Sequence, residues 1–146
     1  MKTRRTFSAV LALLLISSVV ATTGCSDARP AEVQKRRDNL AELANTYVAF
    51  SESKGSSPTN VTDFLAFIDS QPSSDALVAA KSVLEEGDVV MIWGGDLSDE
   101  QANSSYVLAF EARAPASGGY VVMADGSVQL MTGKDFSEAT MLPPSP

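Results

Sequence analysis

The loop "WGGDLSDEQANSS" holds the densest group of side chains in this chain that could do chemistry. Asp96, Asp99 and Glu100 place three carboxylates within a few residues, and hard carboxylate oxygens are the ligands that calcium takes. Their spacing is not that of an EF-hand, and a solvated acidic loop is the expectation. Trp93, next to Gly94 and Gly95, either opens an aromatic face to a ligand or closes a sheet against a helix; the core role is the expectation. Asp125-Gly126 in "GYVVMADGSVQLM" is either a recognition tip or a bend, and the bend is expected, because both residues suit a tight turn.

What the chain lacks is as informative. It contains no histidine, which removes the commonest general base near neutral pH, the histidine-dependent nucleophile systems and histidine-containing zinc sites. Carboxylates, lysines and hydroxyls remain. A pair of acids could act on glycosides, but no spacing marks such a pair, so a carboxylate-only hydrolase is a remote alternative and no enzymatic activity is expected. The full chain carries a formal net charge of −7, and all 18 of its acidic residues lie beyond Gly24. Such a surface argues against nucleic acid or anionic lipid as the main partner, since those interactions rest on clustered Lys and Arg. The one basic cluster is Lys35-Arg36-Arg37.

The N-terminus explains the single cysteine. Lys2, Arg4 and Arg5 precede an apolar run from Ala9 to Ala21, then small polar residues and Cys25, the layout of a secretory signal peptide. The run is shorter than the about 20 apolar residues a membrane span needs. Thr22-Thr23-Gly24-Cys25 resembles a bacterial lipobox, with Thr22 where Leu, Val or Ile is usual. The expectation is removal of residues 1–24, lipid on Cys25, and membrane attachment through at least two acyl chains, because one chain alone anchors only marginally. That places the protein in the bacterial cell envelope, on the periplasmic side or the cell surface. Roughly 120 residues then remain, enough for one domain.

Residues 25–32 carry Pro30 and no apolar periodicity, which reads as a tether. A helix follows with Leu40, Leu43, Tyr47 and Phe50 on one face, stopped by Gly55 and Pro58. A second helix is capped by Asn60, with Val61, Phe64, Leu65 and Ile68 as its buried stripe; the sequon Asn60-Val61-Thr62 is read as coincidental with that cap. A third begins at Ser73 or Ser74, buries Leu77, Val78 and Leu84, and stops at Gly87. Beyond Gly87 come four strand-forming segments, "DVVMIW", "SSYVLAFEA", "GYVVMA" and "SVQLM". A two-residue type I′ turn at Asp125-Gly126 would pair Met123 with Val128 and Val121 with Leu130, gathering all four on the core face. A short helix "KDFSEATM" and a disordered tail, residues 142–146, close the chain.

Two blocks carry a resemblance. "DNLAELANTYVAFSESKGSSP" is similar to the segment following the membrane helix in pilin-like proteins of the H-x9-DG domain family, related to type II secretion pseudopilins, through Asn39, Leu40, Leu43, Phe50, Glu52, Gly55 and Pro58. "GGYVVMADGSVQLM" resembles the family's closing hairpin through Gly118, Gly119, Ala124, Asp125, Gly126, Ser127 and Val128. The resemblance implies a pilin headgroup, and it strengthens the calcium reading, since related pseudopilins often hold calcium in a loop of this sheet. Pro115 stands where the family has its histidine, so nothing depending on that residue carries over. Thr6 before Phe7, and Leu11 where pilins have a buried glutamate, depart from the prepilin pattern, which argues against a filament subunit.

The expected fold is therefore α+β: a long N-terminal helix and two shorter ones on an antiparallel sheet of about four strands, as a single domain over residues 33–141. The expected function is a non-catalytic, lipid-anchored envelope protein serving as a structural or protein-interaction module, with an unidentified envelope protein as partner. The alternative is a calcium- or small-ligand-binding envelope lipoprotein.

Overall fold

The structure, a computed structural model, describes residues 28–145. The expected signal peptide, Cys25 and the first residues of the expected tether lie outside the described residues.

Helix α1 spans Ala28–Lys54. The tether expected through residue 32 is thus helical from Ala28. Pro30 does not prevent this, because it lies in the first turn, where a backbone N–H has no partner within the helix. Residues 30–38 are all exposed, and the buried face begins at Asn39, continuing through Leu40, Leu43, Ala44, Tyr47 and Phe50. Gly55, at φ 72°, ends the helix and donates its N–H to Ser51 O at 2.9 Å, the left-handed stop that glycine permits.

Helix α2 (Val61–Ser70) is capped by Asn60, whose Oδ1 accepts the Asp63 N–H at 2.9 Å. Helix α3 (Asp75–Glu85) is capped by Ser74, whose Oγ accepts the Leu77 N–H at 3.1 Å. Phe64 and Ile68 of α2 and Leu77, Ala80 and Leu84 of α3 are buried. Val61 and Val78, expected in the core, are 39% and 59% exposed. Val61 is the first residue of α2 and overhangs the core, while Val78 is rotated by one residue from the stripe that Leu77, Ala80 and Leu84 define. Phe64 is fully buried at the aromatic centre, with ring centroids 6.1 Å from Tyr47, 6.4 Å from Phe50 and 5.7 Å from Trp93.

The sheet runs β1 (Val89–Met91), β2 (Tyr106–Glu111), β3 (Gly119–Met123), β4 (Val128–Met131) in that spatial order, all antiparallel. A fifth strand, β5 (Thr140–Met141), pairs parallel with the start of β2. The fold is α+β, as expected. One face packs on α1–α3 through Leu108, Ala109, Val122 and Ala124. A bulge between Val107 and Ala109 shifts the β2–β3 register, so that the successive residues Leu108 and Ala109 both join this core.

The sheet's other face is not open to solvent. Helices α4 (Ala114–Ser117) and α5 (Gly133–Glu138) bring Ala114 and Phe136 against Val107, Val121 and Met123, with the Phe110 and Phe136 rings 4.7 Å apart. Thr132 and Asp135 form a reciprocal capping box at the start of α5. The helix expected over residues 134–141 therefore stops at Glu138, and Thr140 and Met141 enter β5. Covering on both sides explains why Val121 and Val122, adjacent and on opposite faces, are both fully buried.

The closing hairpin differs from the expected one by a single residue. Val122 pairs with Val128, Val121 with Gln129 and Tyr120 with Leu130. The loop is Ala124-Asp125-Gly126: the Gly126 N–H reaches Met123 O, the Met123 N–H reaches Ser127 O, both at 2.9 Å, and only Gly126 has positive φ, 84°. This is a three-residue loop with a left-handed glycine, not a type I′ turn, which needs positive φ at both central residues. Asp125 avoids that conformation and instead accepts the Ser127 N–H on its Oδ1 at 2.9 Å. A one-residue slip exchanges faces. Val121 and Met123 therefore join the α4–α5 side, Val128 packs on the α1 side, and Leu130 is 70% exposed.

The expected disordered tail is seated over its described part. Leu142 is buried, the Asp96 N–H reaches Pro143 O and the Ser145 N–H reaches Gly94 O, both at 2.7 Å. Proline lacks a donor, but its carbonyl still accepts. None of the described helices is long and apolar enough to cross a membrane.

Candidate functional site

The acidic loop after β1 is held from three directions before its carboxylates come into play. Gly94 donates its N–H to Pro58 O at 2.8 Å, Gly95 donates to Tyr47 Oη at 3.0 Å, and Ser57 Oγ donates to Gly95 O at 2.6 Å. A Cβ on Gly95 would occupy the space of the Leu142 side chain, so glycine lets the tail close over this loop. Burial pushes the Tyr47 phenol above its ordinary pKa, partly offset by the hydrogen bonds with Gly95 and Ser57. Trp93 is half-buried with its ring edge-on to Phe64. The Trp-Gly-Gly segment thus joins α1, the turn after it and the C-terminal tail.

The loop carboxylates turn inward on their own backbone. Asp96 Oδ1 accepts the Ser98 N–H at 2.9 Å, and hydrogen bonds from Ser98, first its side chain and then its backbone, hold the Asp96 carboxyl below the usual range. Asp99 Oδ1 accepts from the Gln101 and Ala102 N–H groups at 3.2 and 3.1 Å. These are Asx-type caps. Glu100 lines a separate cleft with Asp125. Among the described residues, no three His, Cys, Asp or Glu side chains gather as a metal-binding group.

Two of the clefts along α1 involve the sheet as well. The first, about 320 Å³, lies between the start of its buried face, α3 and the ends of β1 and β2, and is lined in part by Arg36, Asn39, Val83, Asp88, Glu111 and Arg113. Glu111 is 8% exposed, and its Oε2 accepts from Arg113 Nη2 at 3.1 Å and from the Tyr120 N–H at 2.9 Å, while Oε1 lies 3.7 Å from Arg36 Nη1, an ion pair without a hydrogen bond. A carboxylate between two guanidiniums is already matched in charge.

The second cleft, about 390 Å³, lies between the middle of α1 and the hairpin tip. Asn45, Val48, Ala49 and Glu52 come from α1, Ala124, Asp125 and Gly126 from the tip, and Glu100 and Asn103 from the acidic loop. Its acids are exposed and no lysine or arginine lines it. Asn103 is 8% exposed; its Nδ2 donates to Leu97 O at 3.2 Å, while its Oδ1 accepts no hydrogen bond among the described residues.

Of the residues singled out in the sequence, Glu100 and Asp125 meet at this second cleft, and Asp96 and Asp99 do not join them. Asn45, Asn103 and Glu111 were not singled out. For Glu111 the signal present was an acid ending an apolar strand, with Arg113 two residues on; for Asn103 the sequence carries none. Comparison with family models, with curated proteins and with solved structures gives no match to this chain.

Proposed function

We propose that the chain is a non-catalytic, lipid-anchored protein of the bacterial cell envelope whose domain serves as a structural or protein-interaction module, related in plan to pilin headgroups and placed beside a secretion or pilus-like machine. The supporting observation is the start of α1. Residues 30–38 are helical and all exposed, so about 13 Å of helix separates the packed domain from the segment that carries Cys25. Lys35 and Arg37 lie on this stretch, where they can meet lipid headgroups, while Arg36 pairs with Glu111 of the domain. The absence of histidine from the whole chain and the engaged carboxylates of Asp96, Asp99 and Glu111 favour binding over catalysis. Globomycin treatment or Cys25→Ser should block processing or release the protein from membranes. Unchanged anchoring in both experiments would sink this reading.

A calcium-stabilised domain is the second reading, motivated by Asp96, Asp99 and Glu100 lying in one loop. Its check is thermal: millimolar calcium should raise Tm, and Asp96→Ala with Asp99→Ala should abolish the rise. No rise in the native chain retires it.

A further inference from the structure

Strand β4 is an open edge of the sheet. It pairs only with β3, and the hydrogen bond from the Met123 N–H to Ser127 O sets which of its backbone groups face inward. Antiparallel ladders alternate, so Gln129 and Met131, opposite Val121 and Gly119, turn their N–H and C=O groups to β3, while those of Val128 and Leu130 turn away from it. Among the described residues, no hydrogen bond reaches the Val128 or Leu130 backbone from another element. The edge has definite ends: the Gly126 N–H is taken by Met123 O, and the Thr132 N–H by the Asp135 carboxylate at 3.1 Å. Between those ends lies no proline and no charged side chain, the usual obstacles to edge pairing. Leu130, on the same face as Val128, is 70% exposed.

We propose that a second copy of this chain pairs with this edge, the two β4 strands running antiparallel about Gln129. The edge is complementary to itself. Setting Val128 of each copy opposite Leu130 of the other joins every outward N–H to an outward C=O and lays each exposed Leu130 side chain against Val128 of the other copy. Moving the register by two residues either way would put Leu130 opposite Gly126, or Val128 opposite Thr132, whose N–H groups are already taken. The two-fold also carries the hairpin tip of one copy, with Asp125, toward the far end of the other copy's β4, where Lys134 lies in the first turn of α5. Both side chains are exposed, and neither enters an ion pair among the described residues. A strand of another protein would meet the same backbone groups without this match of register and charge, which favours the second copy. The pairing does not depend on the lipid on Cys25, so it stands or falls separately from the anchor.

An edge this short supports a transient contact, so the test is disulfide trapping of the full-length chain in its membranes. In the proposed register the two Gln129 residues face each other as a non-hydrogen-bonded pair, with Cα atoms about 4.5 Å apart, within disulfide reach. Gln129 is exposed, so Gln129→Cys should leave the fold intact. Under mild oxidation it should give a disulfide-linked dimer above the background set by the native chain, whose one cysteine is Cys25. Leu130→Cys faces Val128 of the other copy and should be trapped far less, and Asp69→Cys, on the surface of α2, not above background. Adding Lys134→Glu should lower the Gln129→Cys dimer yield about fivefold, because by symmetry two exposed ion pairs become repulsive; the fold should tolerate an acid in the first turn of a helix. Equal trapping at positions 129, 130 and 69, no dimer at position 129, a disulfide from that position to a different polypeptide, or a yield indifferent to Lys134→Glu would each overturn the proposal.

Discussion

The two clefts between α1 and the sheet have similar volumes and opposite chemistry. In the first, Glu111 is buried with Arg36, Arg113 and the Tyr120 N–H around it, so the chain supplies its own counter-charges. In the second, Glu52, Glu100 and Asp125 are exposed to solvent and the chain supplies no lysine or arginine to the lining. The first is a clasp that ties α1 to the end of β2. The second leaves its charges to water, which makes them cheap to remove.

That contrast can be broken by mutation. Glu111→Leu is expected to have the largest effect, a loss of about 3 kcal/mol in urea unfolding, because it strands the Tyr120 N–H and separates two half-exposed arginines from their carboxylate. Glu52→Gln should stay within about 0.5 kcal/mol of the native chain. Equal losses at the two positions would erase the distinction between clasp and open cleft.

Tyr47→Phe tests the contact that ties the acidic loop to α1. Removing the hydroxyl leaves the Gly95 N–H without its acceptor, a cost of about 1–3 kcal/mol. It should also change the alkaline limb of the stability profile. Burial raises the folded-state pKa of this phenol above 10.0, so its contribution is complete below that value and is lost as pH rises through the folded pKa. Stability measured between neutral pH and pH 11 should therefore fall less steeply in the variant, and an identical slope would count against a buried phenol.

Gly126→Val should cost about 1–2 kcal/mol, since a β-branched residue resists the left-handed conformation at φ 84°. Tm should fall accordingly, and an unchanged Tm would count against a left-handed residue 126. Asn103→Leu should have a small effect on stability, within about 1 kcal/mol. It removes an unmet acceptor while costing the Leu97 carbonyl one donor. A large loss there would mean that Asn103 serves the fold.

The parts of the fold legible in the sequence are those set by local chemistry. Asn60 and Ser74 cap where their hydroxyl or amide chemistry predicts, Gly55 and Gly87 stop helices at positive φ, and the strand-forming segments after Gly87 pair in antiparallel order. Two features depended on the rest of the molecule. Asp-Gly suits a two-residue or a three-residue loop, and the choice decides which face receives Val121, Met123, Val128 and Leu130. The apolar run Val121-Val122-Met123, buried throughout, signals covering on both faces, a cue that period-two alternation obscures. The clefts were less legible still. Arg36 meets Glu111, and Asn45 approaches Gly126, across long stretches of chain, so the sequence showed the acids at 96–100 as one solvated loop and not that Asp96 and Asp99 cap their own backbone while Glu100 lines a cleft.

On the proposed reading, the exposed start of α1 is a spacer between a membrane anchor and the domain, and Arg36 on it clasps Glu111. The anchor is the claim on which that picture rests, and the intact mass of the protein extracted from membranes tests it most directly. The account predicts a mature chain beginning at Cys25, heavier than its polypeptide by a diacylglyceryl group and any further acyl chain. A mature chain of unmodified mass, with a free thiol at Cys25 or with cleavage beyond it, would contradict it.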